Sequence, residues 1–352
     1  MHIALINQKA NPADHAEMLE LGKHLLAERK EVSLYSEGLE IPSGPSRKIW
    51  RAVWNYKPSV ALIHALSTDV DIIHNLGNPG LIKPYLVRIF KAQSRLVVTL
   101  DTSDLPRPVG RLQTWWQRFK LRRLLRASAQ VLANSYDTQT QFKDQFGIDL
   151  SCVHRGVENR STRSASFLES QNLAHREYLL AFVTQGPKSG AHYLVQAFSG
   201  LIAPFKLIVV NLDPPGEYWE NLKQLSGRDE RIIFLERPPG EDLRELESHA
   251  YLVVHAGSDQ GLPHLALQTM ARGVGALISD LPEYRALNLE GVIWINSGDL
   301  EGLREKIFEL LNDRTAAWGL SRLARTSAGE KFHWGAAADE LTKIYDQALN
   351  SL

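Results

Sequence analysis

The residues with the clearest capacity for chemistry lie between Tyr251 and Gly273. Tyr251–Val254 is a short apolar run that reads as a buried strand, followed by a polar turn over Ala256–Gln260. Gly261, Leu262 and Pro263 come next, with Pro263 suited to the first turn of a helix, where its missing N–H costs nothing. Leu265, Leu267, Met270 and Ala271 give that helix a buried side, and Gly273 stops it. A strand that feeds a glycine turn and then a helix N-terminus leaves backbone N–H groups converging on one spot. Those groups and the helix dipole favour an anion, typically a phosphate. The same pattern also suits a plain strand–loop–helix unit of a parallel sheet.

Such a loop has to be held by a sheet, and the rest of the chain supplies one. His2–Asn7 reads as a strand, Glu17–Ala27 as an amphipathic helix and Val32–Tyr35 as a second strand. The alternation continues with strands near Val70–His74, Leu96–Leu100 and Gln130–Ala133, and with a helix over Leu81–Phe90. Ser135 is placed to cap a helix running toward Gln145. Residues 159–176 are polar and aperiodic, as in a linker. A second series starts at Tyr178, with strands near 179–183, 206–210, 232–235, 252–254, 276–278 and 291–295. Helices near 190–198, 218–225, 242–248, 300–311 and 336–349 alternate with them. Repeated β–α–β units predict an α/β protein with doubly wound parallel sheets. The domain boundaries expected are 1–158, a linker over 159–176, a second domain over 177–334 and a final helix in 335–352.

Composition narrows the function classes. Forty basic and forty acidic residues cancel, which argues against a nucleic-acid partner, and 44% hydrophobic residues fit an ordinary globular chain. The single Cys152 cannot form an internal disulfide, in keeping with a reducing, cytoplasmic setting. The N-terminus reads as a first strand and not as a signal peptide. No run approaches the roughly 18 apolar residues of a membrane span. The twelve histidines include no pair at metal-ligand spacing, so no metal is implied, and His64 and His74 read as structural residues. The stretch Leu105–Tyr136 has no acidic residue. It holds Arg111, Trp115, Trp116, Arg118, Arg122 and Arg123, a mixture suited either to an anionic membrane surface or to a packed helix with solvated arginines.

Gln260-Gly-Leu-Pro263, Gln268 and Met270-Ala-x-Gly273 together resemble the donor-site signature of the retaining group 1 glycosyltransferases of the GT-B fold. That signature has glutamate at the positions of Gln260 and Gln268. Cys152-Val-His-Arg-Gly156-Val-Glu158 is similar to the segment that precedes the family's interdomain linker. The resemblance implies two Rossmann-like domains facing across a cleft. It also implies a nucleoside-diphosphate sugar as donor, a glycan or lipid-linked acceptor, and no metal or cofactor. By that likeness Gln185, Lys188, Gly261, Leu262, Pro263, Gln268 and Glu283 would bind the donor. Asp101 and Gln260 would lie near the transferred sugar, with Asp101 either handling hydroxyls or capping a helix. Peripheral attachment of the Trp/Arg stretch to the inner face of the membrane, one of the two readings above, would suit a lipid-linked acceptor. Gln268 can still accept from a ribose hydroxyl, without the charge assistance that separates about 1.5–3 from about 0.5–1.5 kcal/mol. The paired replacements also leave open a homologue that has lost turnover and serves as the partner of an active enzyme.

Overall fold

A computed structural model describes residues 1–7, 12–36, 52–54, 69–76, 96–101, 104, 119, 121–123, 125–126, 128–183, 186–212, 214–258 and 263–350. The chain divides into two compact units, Met1–Gly156 with Trp334–Leu352, and Val157–His333.

The first unit carries a seven-stranded sheet in the order β3-β2-β1-β4-β5-β6-β7. Its strands are β1 His2–Asn7, β2 Glu31–Tyr35, β3 Ala52–Trp54, β4 Ile72–Leu76, β5 Leu96–Leu100, β6 Gln130–Ala133 and β7 Ser151–Cys152, all parallel. Central β1 is buried at all six positions, as expected where helices cover both faces of a parallel sheet. Its side chains divide by the strand's period of two. Ile3 and Leu5 pack with Met18, Leu21, Leu341 and Tyr345, from helix Pro12–Ala27 and the final helix Trp334–Asn350. Ala4 and Ile6 pack with Phe142 and Phe146, from helix Tyr136–Phe146. Ser135 caps that helix by accepting from the Thr138 N–H, and Gly147 ends it at φ +67° with its N–H on the Lys143 carbonyl.

The second unit carries a six-stranded parallel sheet, β10-β9-β8-β11-β12-β13. Its strands are β8 Tyr178–Val183, β9 Lys206–Asn211, β10 Ile232–Glu236, β11 Leu252–His255, β12 Gly275–Ser279 and β13 Val292–Ile295. In each sheet the order reverses once, between β1 and β4 and between β8 and β11. Ligands bind beyond the carboxyl ends of the strands at such points.

The structure departs from the expectations in several places: the edge strands β3 and β7 were not expected, and the first helix starts at Pro12 and not at Glu17. The strand placed at Val70–His74 sits two residues later, at Ile72–Leu76. Segment 159–176 carries a short helix, Ser166–Ser170, docked on helix Gly240–His249. Leu168 is buried there and its N–H donates to Glu245 Oε1 at 2.8 Å. Leu168 is the helix's one buried residue, and a single buried position sets up no period, so the pattern could not show it. Helix Arg314–Lys331 was not foreseen at all, because its buried face is made of Ala317, Ala324, Ser327, Ala328 and Gly329. Small residues carry little hydrophobic contrast, yet they let this helix lie close to the sheet: a Cβ on Gly291 would meet the backbone of Ala324. The expected helix over 81–90 lies outside the described residues.

Candidate functional site

In the first unit the reversal between β1 and β4 opens a crevice enclosing about 80 Å³. Its polar lining includes Glu17, Asp101, Asn134 and Arg155, and its apolar lining Leu21, Leu100, Trp334 and Leu341. Asp101 sits directly after β5, and its side chain is 14% exposed. Its carboxylate lies 3.9 Å from Arg155 Nη2, while Arg155 Nη1 donates to Glu17 Oε1 at 3.0 Å. Asp104 Oδ2 accepts from the Asp101 N–H at 2.9 Å and the Asp104 N–H donates to the Asp101 carbonyl at 3.1 Å, which places Asp101 at the N-cap position of this turn with Asp104 three residues on. Gly156 packs against the indole of Trp334, where a Cβ would collide with the ring. Sequence reasoning gave no role to Glu17, Arg155 or Trp334. Arg155 stood inside a quoted motif, but the chain separation of its partners left no local signal.

His74, on β4, is fully buried at the back of this crevice. Its ring nitrogens are 2.6 Å from Tyr345 Oη and 2.7 Å from Thr99 Oγ1. Both partners are hydroxyls, so a neutral imidazole is satisfied in either tautomer. Burial lowers the His74 pKa to about 3, and that of nearby His154 to about 4. Each lies below the unfolded histidine value of about 6.5, so protonation favours the unfolded chain. The stability they contribute is complete above pH 6.5 and is lost as pH falls toward 4 and then 3. Glu247 opposes this, since burial raises it to about 7 and its contribution improves as pH falls toward 4.5. Among the described residues burial lowers His175 and His192 as well and raises Glu340, so the lowered histidines outnumber the raised carboxylates and the melting temperature is expected to drop steeply from pH 6.5 to 4. His74→Gln should flatten that limb, and an unchanged slope in differential scanning calorimetry would count against the assignment.

In the second unit the reversal between β8 and β11 brings two loops together. After β8 the chain makes a 3₁₀ turn, Pro187–Ser189, ending at Gly190 with φ +67°. After β11 it runs through Ala256, Gly257 and Ser258. The Ser258 N–H donates to the Lys188 carbonyl at 2.8 Å. A Cβ on Gly190 would fall on the Ala256 carbonyl, and one on Gly257 on the carbonyls of Lys188 and Ser189. The two loops therefore pack backbone on backbone, which only glycine permits. Tyr218 Oη braces the first loop through Ser189 Oγ at 3.2 Å and the His192 N–H at 3.2 Å. This leaves Lys188 exposed at the reversal point, with no ion pair among the described residues.

Glu283 lies in the first turn of the short helix Pro282–Arg285 that follows β12; that helix has no side-chain cap. Helix Pro263–Ala271 is present, starting at Pro263. Gln268, on that helix, faces a buried ionic cluster: its Nε2 donates to Glu247 Oε1 and Oε2 at 3.3 and 3.2 Å. Glu247 also accepts from Arg272 Nη1. Gln185, Gln260, Gly261 and Leu262 lie outside the described residues, as do Arg111, Trp115, Trp116 and Arg118. Arg122 and Arg123 are exposed beside buried Leu121. Among the described residues no helix is long and apolar enough to cross a membrane. Nor do three or more metal-ligating side chains gather there.

Comparison with known proteins agrees with this layout. Residues 18–160 match the family described as Glycosyltransferase Family 4, and residues 165–327 the family described as Glycosyl transferases group 1. The O-antigen chain mannosyltransferase RfbU of Salmonella typhimurium is 20% identical over 245 residues, covering 69% of this chain and 68% of that protein. Sucrose-phosphate synthase of Thermosynechococcus elongatus has a similar structure, with a TM-score of 0.73 at 17% identity over 100% of both chains. So does Anabaena HepE in complex with UDP-glucose, with a TM-score of 0.71 at 16% identity over 100% of both chains.

Proposed function

Because the chain belongs to the group 1 glycosyltransferases and has the GT-B fold, we propose that it moves a sugar from a nucleoside-diphosphate sugar to a glycan or lipid-linked acceptor. Transfer proceeds with retention at the anomeric carbon. The observation that supports this reading is the glycine-locked pair of loops at the β8–β11 reversal, which leaves Lys188 exposed beyond the carboxyl ends of the strands, where ligands of such sheets bind. The UDP-glucose in the Anabaena structure supports a nucleotide-sugar donor.

In this reading the N–H groups of Gly261 and Leu262 and the Lys188 ammonium counter the charge that grows on the departing diphosphate. No metal ion is needed for that role. Gln268 accepts from the ribose, and Gln185 and Glu283 complete the donor side. Asp101 and Gln260 hold hydroxyls near the transferred sugar.

A thermal-shift panel of nucleoside diphosphates, followed by transfer assays with the matching sugar donors, tests the proposal. Stabilisation by one or more nucleotides and turnover with the corresponding donor are expected. A charge-assisted contact contributes about 1.5–3 kcal/mol. Lys188→Ala should therefore lower kcat/KM by about ten- to a hundredfold with little change in melting temperature. No shift with any nucleotide would sink the proposal. An unchanged kcat/KM in the lysine variant would remove Lys188 from it.

A further inference from the structure

Behind Gln268 stands a carboxylate that nothing in the donor reading has used. Glu247, on helix Gly240–His249, is fully buried, and Arg272, one turn after Gln268, is 2% exposed. Arg272 spends its donors on Glu247, on Glu158 Oε2 at 3.4 Å and on the Arg160 carbonyl at 3.2 Å. The Gln268 amide completes the Glu247 shell through both carboxylate oxygens. An ionised carboxylate only accepts, so the amide must turn its nitrogen toward Glu247 and its carbonyl oxygen away. A glutamine has two faces, and Glu247 leaves one of them available.

We propose that Glu247 is a positioning residue for the donor: it fixes the Gln268 amide so that only a carbonyl oxygen, polarised by the carboxylate behind it, meets the ribose hydroxyls. This rests on the reading of Gln268 as a donor-binding residue. The negative charge missing at position 268 is thereby supplied one layer further in, where Arg272 and Glu158 accompany it. Hydrogen bonds in series strengthen one another in a low-dielectric interior. A glutamate at 268 would instead place a second carboxylate against Glu247, and like charges at that distance cannot both ionise without cost.

The test compares each effective nucleoside diphosphate with its 2′-deoxy analogue by calorimetry at pH 8, where Glu247, raised to about 7 by burial, is mostly ionised. The wild-type chain is expected to prefer the ribo form by about tenfold, the upper range for a neutral hydrogen bond. Gln268→Ala and Glu247→Gln should bring that ratio close to one. In turnover assays Glu247→Gln should raise the donor KM and leave kcat nearly unchanged. Fold damage alone would weaken both nucleotides equally and leave the ratio intact. Gln268→Glu by itself should bind worse than wild type, and the exchange Glu247→Gln/Gln268→Glu should recover both affinity and ratio. That exchange decides the matter should Glu247→Gln fail to fold. A wild-type chain that binds no nucleotide overturns the donor reading itself. One that binds both analogues equally overturns only this inference. Retention of the ratio in Glu247→Gln, or tighter binding by Gln268→Glu alone, also overturns it.

Discussion

Gly257→Ala is expected to remove donor binding, by a hundredfold or more, and to lower the unfolding midpoint of the second unit. The added methyl would land on the Lys188 and Ser189 carbonyls, which are main chain and cannot rotate aside. Relief requires the two loops to part, which breaks the hydrogen bond from the Ser258 N–H to the Lys188 carbonyl. Overpacking of this kind costs about 1–3 kcal/mol, and backbone contacts lie at the upper end. Loss of binding follows because the same separation moves Lys188 and the start of the 258–263 segment away from each other. Gly319→Ala is the control, since nothing lies within 4 Å of a Cβ there and alanine favours its helix. Calorimetric unfolding and nucleotide titration read both effects. Wild-type affinity in Gly257→Ala would show that the loops do not act as one support.

Asp101→Asn should lower kcat by about a hundredfold or more, while donor KM changes little. Groups that hold or move a proton at the reacting centre contribute about 10²–10⁴-fold. The substitution keeps the side chain's shape and removes its charge, so the fold of the crevice is unaffected. Asp101 is set apart from its neighbours because its carboxylate lies 3.9 Å from Arg155, which Glu17 holds on the other side. Glu17→Gln, which leaves Asp101 in place, should give the smaller loss. A kcat within about threefold of wild type in Asp101→Asn would make the residue structural. The comparison requires the donor and acceptor that the nucleotide panel identifies.

Both predictions turn on contacts between segments far apart in the chain, and this is where sequence reading reached its limit. The strand runs His2–Asn7 and Leu96–Leu100 were legible because both faces of a parallel sheet are covered and their centres, Ile3–Ile6 and Leu96–Val98, are continuously apolar. Ser135 was legible because a cap acts within three residues. Helix Arg314–Lys331 was not, since alanines bury themselves without leaving a strong pattern. Glu247 was hidden for the opposite reason. In Glu241-Asp-Leu-Arg-Glu-Leu-Glu247 it looks like one more charge on a solvated face, and only Arg272, Gln268 and the segment at 158–160 enclose it.

The order of residues alone therefore determined the two series of β–α units, the strands at the centre of each sheet, and the family likeness of the 260–273 segment. These depend on periodicity and on contacts within one turn of chain. Tertiary structure decided that Asp101 has Arg155 as a neighbour. It also decided that Gly190 and Gly257 lock two loops together and that a buried carboxylate backs Gln268. Burial and charge pairing are properties of the neighbours a side chain meets, and those neighbours come from 21 to 138 positions away in the sequence.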